Sequence, residues 1–401
     1  MTDAAIIRAT IESALVELPR ALDPYARTKR ALAKLELVGD LAVVAIGKAS
    51  RPMARAALDV LGTSIAHGVL VTTDGEPMDP FEVHVGSHPL PDVASEAAGW
   101  AALRLAERTD HDHLLVLISG GGSAMAEVPK RPLEIGALAD LTDRLLRAGT
   151  PIGEMNIVRR HLSNLKNGGL SGRSKVPVTT LVISDVIDGP ASTVASGPTL
   201  RDASDALRAL SIIETRLGRP VSQGVHTALA TPVPHRRNET VIVVADRHTA
   251  YAELSHRLAQ TDLEPSHPVK LEGDAADMAR QMVATPGLTI GTGETTVVVT
   301  GDGRGGRNQH GALAAAIAIR GTPVVFGALG TDGVDGPTDA AGAVVDGGTA
   351  QRIEDAGFDP DRALENCDSH PALDAAYALV RTGPTGTNVA DVWASYVPAT
   401  R

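Results

Sequence analysis

Cysteine occurs once in this 401-residue chain, as Cys367, so neither an internal disulfide framework nor a cysteine-based zinc cluster can form. That absence points to a reducing compartment, and the expected location is the cytoplasm. Aromatic residues supply only 2% of the sequence against a hydrophobic fraction of 43%. A core must therefore be built from Ala, Val, Leu and Ile, which suits helices packed closely on a parallel sheet. No apolar run approaches the roughly 20 residues that cross a bilayer, and the first residues lack the pattern of an export signal, so no membrane partner is expected. Basic residues are scattered within a net charge of -11, which argues against a nucleic-acid surface.

Glycine, in contrast, is gathered into loops that carry polar side chains. Residues 301–308 read Gly-Asp-Gly-Arg-Gly-Gly-Arg-Asn after the β-branched run Thr295-Thr296-Val297-Val298-Val299, and an Ala-rich helix is expected over 309–319. Glycines turn N–H groups toward a ligand at no Cβ cost, guanidinium forks match phosphate or carboxylate oxygens, and a helix N-terminus favours an anion. The stretch reads as a strand–loop–helix anion cradle. Similar loops stand at 119–123 (Ser-Gly-Gly-Gly-Ser), at 330–339 and at 382–388.

Between them the hydrophobic pattern alternates as βαβ units do. Strands are expected at 41–46, 67–72, 82–86, 114–118 and 178–184, with helices at 93–107, 132–148 and 153–165. After the Pro- and Arg-containing stretch 231–238 a second series follows, with strands near 241–245, 295–300 and 323–328 and helices at 249–259, 275–284 and 309–319. The expectation is an α/β protein: a Rossmann-like, doubly wound parallel sheet over 1–235 and a smaller α/β domain with a mixed sheet over 236–401. Ligand loops from both halves would line a cleft between them.

Individual motifs leave alternatives open. Gly301, Gly303 and Gly306 match a dinucleotide fingerprint, but three-quarters of the way along the chain and with more positive charge than a pyrophosphate needs. No Walker loop surrounds Gly47-Lys48-Ala49, and Ser123 lacks the second glycine of a nucleophile elbow. Lys48 follows a strand, where it is either a solvated lysine or a ligand group. Asp185 and Asp188, past the strand ending at Ser184, suit either a turn or Mg²⁺ and substrate binding, and Asp332, Asp335 and Asp339 face the same two readings. The pairs His84/His88 and His111/His113 read as loop residues, because no third metal ligand lies nearby.

Taken in order, the motifs make the chain resemble the class II glycerate kinases, whose C-terminal part is called the MOFRL domain. The resemblance rests on Gly47-Lys48-Ala49, His88-Pro89-Leu90-Pro91-Asp92, Ser119 through Ala124, Arg160-His161-Leu162-Ser163 and Ser184-Asp185-Val186. It continues through Ala195-Ser196-Gly197-Pro198-Thr199, Gly293-Glu294-Thr295-Thr296, Gly305 through Gln309, Gly330 through Ala340 and Thr382 through Val389. It implies transfer of the γ-phosphoryl of ATP to the 2-hydroxyl of D-glycerate, with Mg²⁺. Lys48, Asp185 and Arg307 are the implied catalytic residues. The implied binding set is Ser119, Gly120, Gly121, Gly122, Ser123, Lys166, Gly301, Gly303, Arg304, Gly305, Gly306, Asn308, Thr331, Asp332, Asp335, Thr338 and Asp339, with Asp185 or Asp332 on the metal. Small-molecule partners are expected and a homodimer is left open. The alternatives are a kinase of a related sugar acid and an NAD(P)-dependent hydroxypyruvate reductase. One departure concerns His310-Gly311, where the family usually has an acid and an aromatic residue.

Overall fold

The computed structural model describes residues 4–187, 189–234, 239–261 and 263–398. Asp188 and residues 235–238 of the expected linker lie outside them. The chain divides into two units, one of residues 24–244 and one of residues 1–23 with 245–401.

The first domain is built on six strands: β1 (Leu41–Ile46), β2 (Ile65–Thr72), β3 (Phe81–Val85), β4 (His113–Ile118), β5 (Val178–Ile183) and β6 (Thr240–Ala245). Their spatial order is β3-β2-β1-β4-β5-β6, and the ladders from β3 through β5 are parallel. All six residues of β1 and of β5 are buried, as expected of strands covered by helices on both faces. With few aromatic rings to fill space, small residues set the layer spacing. Ala98, Ala101, Ala102 and Ala106 of the helix Val93–Glu107 lie against Ala42, Val44, Leu114 and Val116. That helix starts at Asp92, whose carboxylate accepts from the Ser95 N–H at 2.9 Å.

The strand order fixes where a ligand belongs. The chain runs outward from β1 to β2 and β3, then returns to β4 on the other side of β1 and continues to β5. β1 and β4 therefore flank a topological switch point, and Ile46 pairs with Ile118 at their carboxyl ends. The loops that leave there begin Gly47-Lys48 and Ser119-Gly120.

The second domain has a mixed sheet of β7 (Pro265–Leu271), β8 (Gly287–Gly293), β9 (Val325–Gly330), β10 (Gly342–Asp346), β11 (Leu379–Val380) and β12 (Asp391–Val397), ordered β11-β10-β9-β12-β8-β7. Only β7 and β8 pair in parallel; the other ladders are antiparallel. The helix Arg307–Ala318 is buried from Asn308 to Ala316 and packs on β9, β10 and the helix Ala275–Val283.

Three expectations need correcting. The stretch 295–300 is not a strand: a single bridge joins Thr296 to Asp274, and Val298 and Val299 are exposed, so its β-branched residues have no ladder to enter. The strand before the glycine loop is β8, which ends at Gly293. The segment 240–245 does not open the second series, because it forms the sixth strand of the first sheet. Finally, the helix Ala4–Ala21 belongs with the second domain, where it packs on β9, β10 and the helix Arg247–Ala259. Its buried Ile11 and Leu15 need the bare face of Gly327, where a methyl would stand 2.6 Å from Leu15 and 3.0 Å from Ile11.

Each domain carries one tryptophan, Trp100 or Trp393, which makes that assignment testable. Leu15→Ala should cost about 2–5 kcal/mol, the range for a fully buried leucine. In single-tryptophan variants the urea midpoint reported by Trp393 should fall while that of Trp100 stays. Movement of the Trp100 midpoint alone would assign the helix to the first domain.

Candidate active site

In the first domain the switch point gathers a glycine loop, a lysine and an aspartate. Gly47 has φ 124°, and a side chain there would meet the backbone oxygens of Ser119 and Gly120 at 2.5 and 2.9 Å, so the two loops interlock only if residue 47 is glycine. Lys48 N–H donates to Gly120 O at 2.9 Å, and Ala49 N–H donates to the Ser119 hydroxyl at 3.0 Å. Ser119 is thereby a strut between the two loops. The Lys48 stem crosses Gly121, where a methyl would lie 3.0–3.4 Å from it, and the Asp185 carboxylate lies against the bare Cα of Gly120. Lys48, Gly120, Gly121 and Asp185 thus come from three neighbouring strand ends to one place. The Gly120 and Gly121 N–H groups have no hydrogen-bond partner among the described residues, nor has the exposed Lys48 ammonium an ion pair.

The outer part of this corner is tied down. The Ser123 hydroxyl is 2.8 Å from that of Ser196, which lies 3.3 Å from Asn156 Oδ1 on the helix Ile152–His161. Gly122 packs against Ala195 and Ile46. Lys166, expected to bind a ligand, is wholly buried with its ammonium on the buried Glu127 carboxylate, whose other oxygen accepts from Val128 N–H. Its charge is answered inside the protein, and burial draws its pKa down. His88 also titrates below its ordinary value, first through lost hydration and then through the positive charges of Lys48 and Arg159.

In the second domain the helix Arg307–Ala318 does begin after the glycine loop, but its first turn holds an anion of the chain's own. The Asp335 carboxylate accepts from the N–H groups of Asn308 and Gln309 at 3.1 and 2.8 Å and from both side-chain amides. Gly306 has no side chain because Asp335 occupies that space. The expectation that these first-turn donors face a ligand is therefore not met. The Arg307 fork grips Asp391 through Nε and Nη2 at 2.5 and 3.1 Å, while Nη1 reaches Glu294 at 2.8 Å. Two of its five N–H donors are hydrogen-bonded, both to Asp391, and Nη1 is ion-paired with Glu294. The Asn308 amide donates to Asp391 at 3.1 Å, and Trp393 Nε1 donates to Asn308 Oδ1 at 2.7 Å. Burial pushes the Asp391 carboxyl up to about 6 against the pull of Arg307, and burial likewise raises Asp335. Its bonds to Asp391 raise Arg307 although burial opposes them, so the cation persists and the carboxylate is the member that takes a proton.

The other expected residues divide between struts and surface. The backbones of Gly301 and Gly303 pack on Asn366 and Asp368, and Arg304 N–H donates to Asp368 at 2.8 Å. The N–H groups of Gly305 and Gly306 have no partner among the described residues. Buried Thr331 links the Val389 and Ala390 N–H groups to Ala390 O, Asp332 accepts from Val334 N–H at 3.2 Å, and Thr338 accepts from Gln309. Asp339, paired with Arg381 and His370, lies well below the usual carboxylate range. Among the described residues no group of three His, Cys, Asp or Glu side chains could hold a metal. Asp391, Glu294, Trp393 and Arg159 were not singled out in the sequence as site residues. For Asp391 the only signal was its place just after the glycine loop 382–388.

The comparisons with known proteins run the length of the chain. Residues 1–230 match a family described as a domain of unknown function (DUF4147), and residues 287–391 match the MOFRL family. The D-glycerate 2-kinase of Thermotoga maritima is 37% identical, over 93% of this chain and 94% of its own length. A relative from Agrobacterium vitis with a provisional name as a hydroxypyruvate reductase is 36% identical, over 88% of this chain and 86% of its own length. The crystal structure of a glycerate kinase from Thermotoga maritima superimposes with a TM-score of 0.92 at 35% identity, covering 98% of this chain and 100% of that one. Similarity of this extent, carried through both domains, means that the chain belongs to the class II glycerate kinase family.

Proposed function

We propose that this protein transfers the γ-phosphoryl group of ATP to the 2-hydroxyl of D-glycerate, giving 2-phosphoglycerate and ADP. The observation that carries the reading is Lys48, without an ion pair among the described residues, at the switch point beside the donor-bearing Gly120-Gly121 loop and Asp185, in a chain 37% identical to a D-glycerate 2-kinase. Phosphoryl transfer asks a protein mainly for positioning and for cations on the equatorial oxygens. Lys48 and the Gly120 and Gly121 N–H groups stand ready for phosphate oxygens, because nothing among the described residues satisfies them. Asp185, half-buried against Gly120, is placed to accept a proton from the acceptor hydroxyl or to orient it. Arg307 enters the reaction as a pre-aimed fork, since Asp391 and Glu294 hold it while further N–H donors have no hydrogen-bond partner among the described residues.

Asp185, a carboxylate at the strand end beside the Gly120-Gly121 loop, would hold Mg²⁺ together with phosphate oxygens and water, and the ion would neutralise charge on the transferred group. The reductase alternative gains nothing from the glycine fingerprint. Gly301 and Gly303 are spent on packing, and Asp335 fills the helix terminus that a pyrophosphate would need.

Purified protein should release ADP from ATP only when D-glycerate is present, and should not oxidise NADH or NADPH with hydroxypyruvate. Lys48→Ala should lower kcat by about 10²- to 10³-fold, as loss of a preorganised charge-stabilising group does, with an unchanged melting temperature. Wild-type turnover in that variant removes Lys48 from the reaction.

A pH profile tests the Asp391–Arg307 pair. Its folded pKa, about 6, lies above the ordinary 3.8, so the folded state gains a proton as pH falls from about 6 toward 4. Protonation there stabilises the fold, and that contribution is lost as pH rises through 6, yet it loosens the grip on Arg307. Activity should therefore decline below about pH 6. Asp391→Asn should lower kcat/KM by about ten- to a hundredfold and abolish that acid limb, the charge-assisted bonds being worth roughly 1.5–3 kcal/mol. A limb near pH 6 that survives in the variant belongs to another group.

A further inference from the structure

One more cation at the first-domain corner is left over by everything described so far. The helix Ile152–His161 ends with two arginines. Arg160 is buried and paired with Asp202 at 2.6 Å. Arg159 is half-buried and has no hydrogen bond or ion pair among the described residues. The carboxylate that acts on it among the described residues, Glu127, already holds Lys166 with one oxygen and Val128 N–H with the other. Lys166, whose ammonium the charge of Arg159 opposes, adds a like charge, and His88 is held toward its neutral form by burial, by Lys48 and by the same guanidinium. A guanidinium partly stripped of water, with no counter-ion and among like charges, is costly unless a ligand supplies the anion.

Its place in the fold says which ligand it would meet. Asn156 lies one turn earlier on the same helix face and is linked through Ser196 to Ser123, at the end of the glycine loop that follows β4. Arg159 is therefore held beside the corner that carries Lys48 and Asp185. Lys48 and the loop N–H groups are point donors suited to phosphate oxygens, whereas a guanidinium offers two parallel N–H groups to one planar carboxylate. We propose that Arg159 binds the carboxylate of the acceptor acid and thereby selects a 2-hydroxy acid over a neutral polyol. This rests on the kinase reading above for the identity of the acid.

The test separates the two substrates. In Arg159→Gln the KM for D-glycerate should rise about ten- to a hundredfold while the KM for ATP stays within about twofold, and the preference for D-glycerate over glycerol should shrink by the same factor. D-Glycerate should raise the melting temperature of the wild type but not of the variant, and ATP should raise both. Arg159→Lys keeps the charge but loses the fork, so it should show the same pattern more weakly, and it serves if Gln impairs folding. A raised KM for ATP with an unchanged KM for D-glycerate would make Arg159 a phosphate contact and overturn the proposal, as would two unchanged KM values. If the wild type fails to phosphorylate D-glycerate yet D-glycerate protects it and not the variant, the kinase reading falls and the carboxylate site stands.

Discussion

The second domain depends on a single buried carboxylate, Asp335, seated on the first turn of the helix Arg307–Ala318. Two backbone N–H groups and two side-chain amides converge on it, so the loop 330–339 and the start of the helix cannot move independently. A negative charge at a helix N-terminus is favourable, and here it also satisfies two backbone N–H groups that would otherwise be buried without partners. With the helix start fixed, Arg307 leaves the chain at a defined point. Asp391, at the first residue of β12, then sets the direction in which the guanidinium points.

The two domains handle charge in opposite ways. In the second, nearly every functional-looking group is answered from within: Arg307 by Asp391 and Glu294, Asp339 by Arg381 and His370, and the helix terminus by Asp335. In the first, Lys166 is answered by Glu127, but Lys48, Arg159 and the Gly120-Gly121 donors have no such partner among the described residues. Unsatisfied donors and cations gathered at a switch point are costly to keep and are retained where a ligand completes them. The first domain therefore carries the open half of the chemistry.

How much of this could be read from the sequence follows from which physics is local. In the first sheet β1 and β4 were legible because each is an almost continuous apolar run followed by glycine or a polar residue, and Lys48 and Asp185 could be placed at strand ends from such patterns. The second sheet was harder. β8 carries three glycines and reads as a loop, while the Thr295–Val299 run, exposed at Val298 and Val299, looks like the strand it is not. The role of Asp391 depends on a partner 84 positions earlier in the chain, and no local period reports such a pairing. Arg159 failed for the converse reason: what marks it is an absent partner, and an absence becomes visible only when every neighbour has been placed. For the helix Ala4–Ala21, the sheet it covers is set by contacts more than 300 residues away, which no local pattern reports.

The departure at His310-Gly311 then takes on a structural meaning. A methyl on Gly311 would stand 2.7 and 3.0 Å from the Trp393 ring, so the bulk missing from the helix is supplied by β12 and no hole opens. That same ring sets the Asn308 amide through its N–H, and Asn308 in turn donates to both Asp335 and Asp391. Trp393 and Gly311 are thus a matched pair on the far side of the Arg307 network: a large residue at 311 would displace the indole and, through Asn308, disturb both carboxylates. His310 titrates below its ordinary value because it is buried, and the charges that act on it are those of Asp274 and Arg280 rather than Asp391 or Glu294. The missing acid therefore belongs to the side of the helix that faces Ala275–Val283, and the charge balance around Arg307 is set without it.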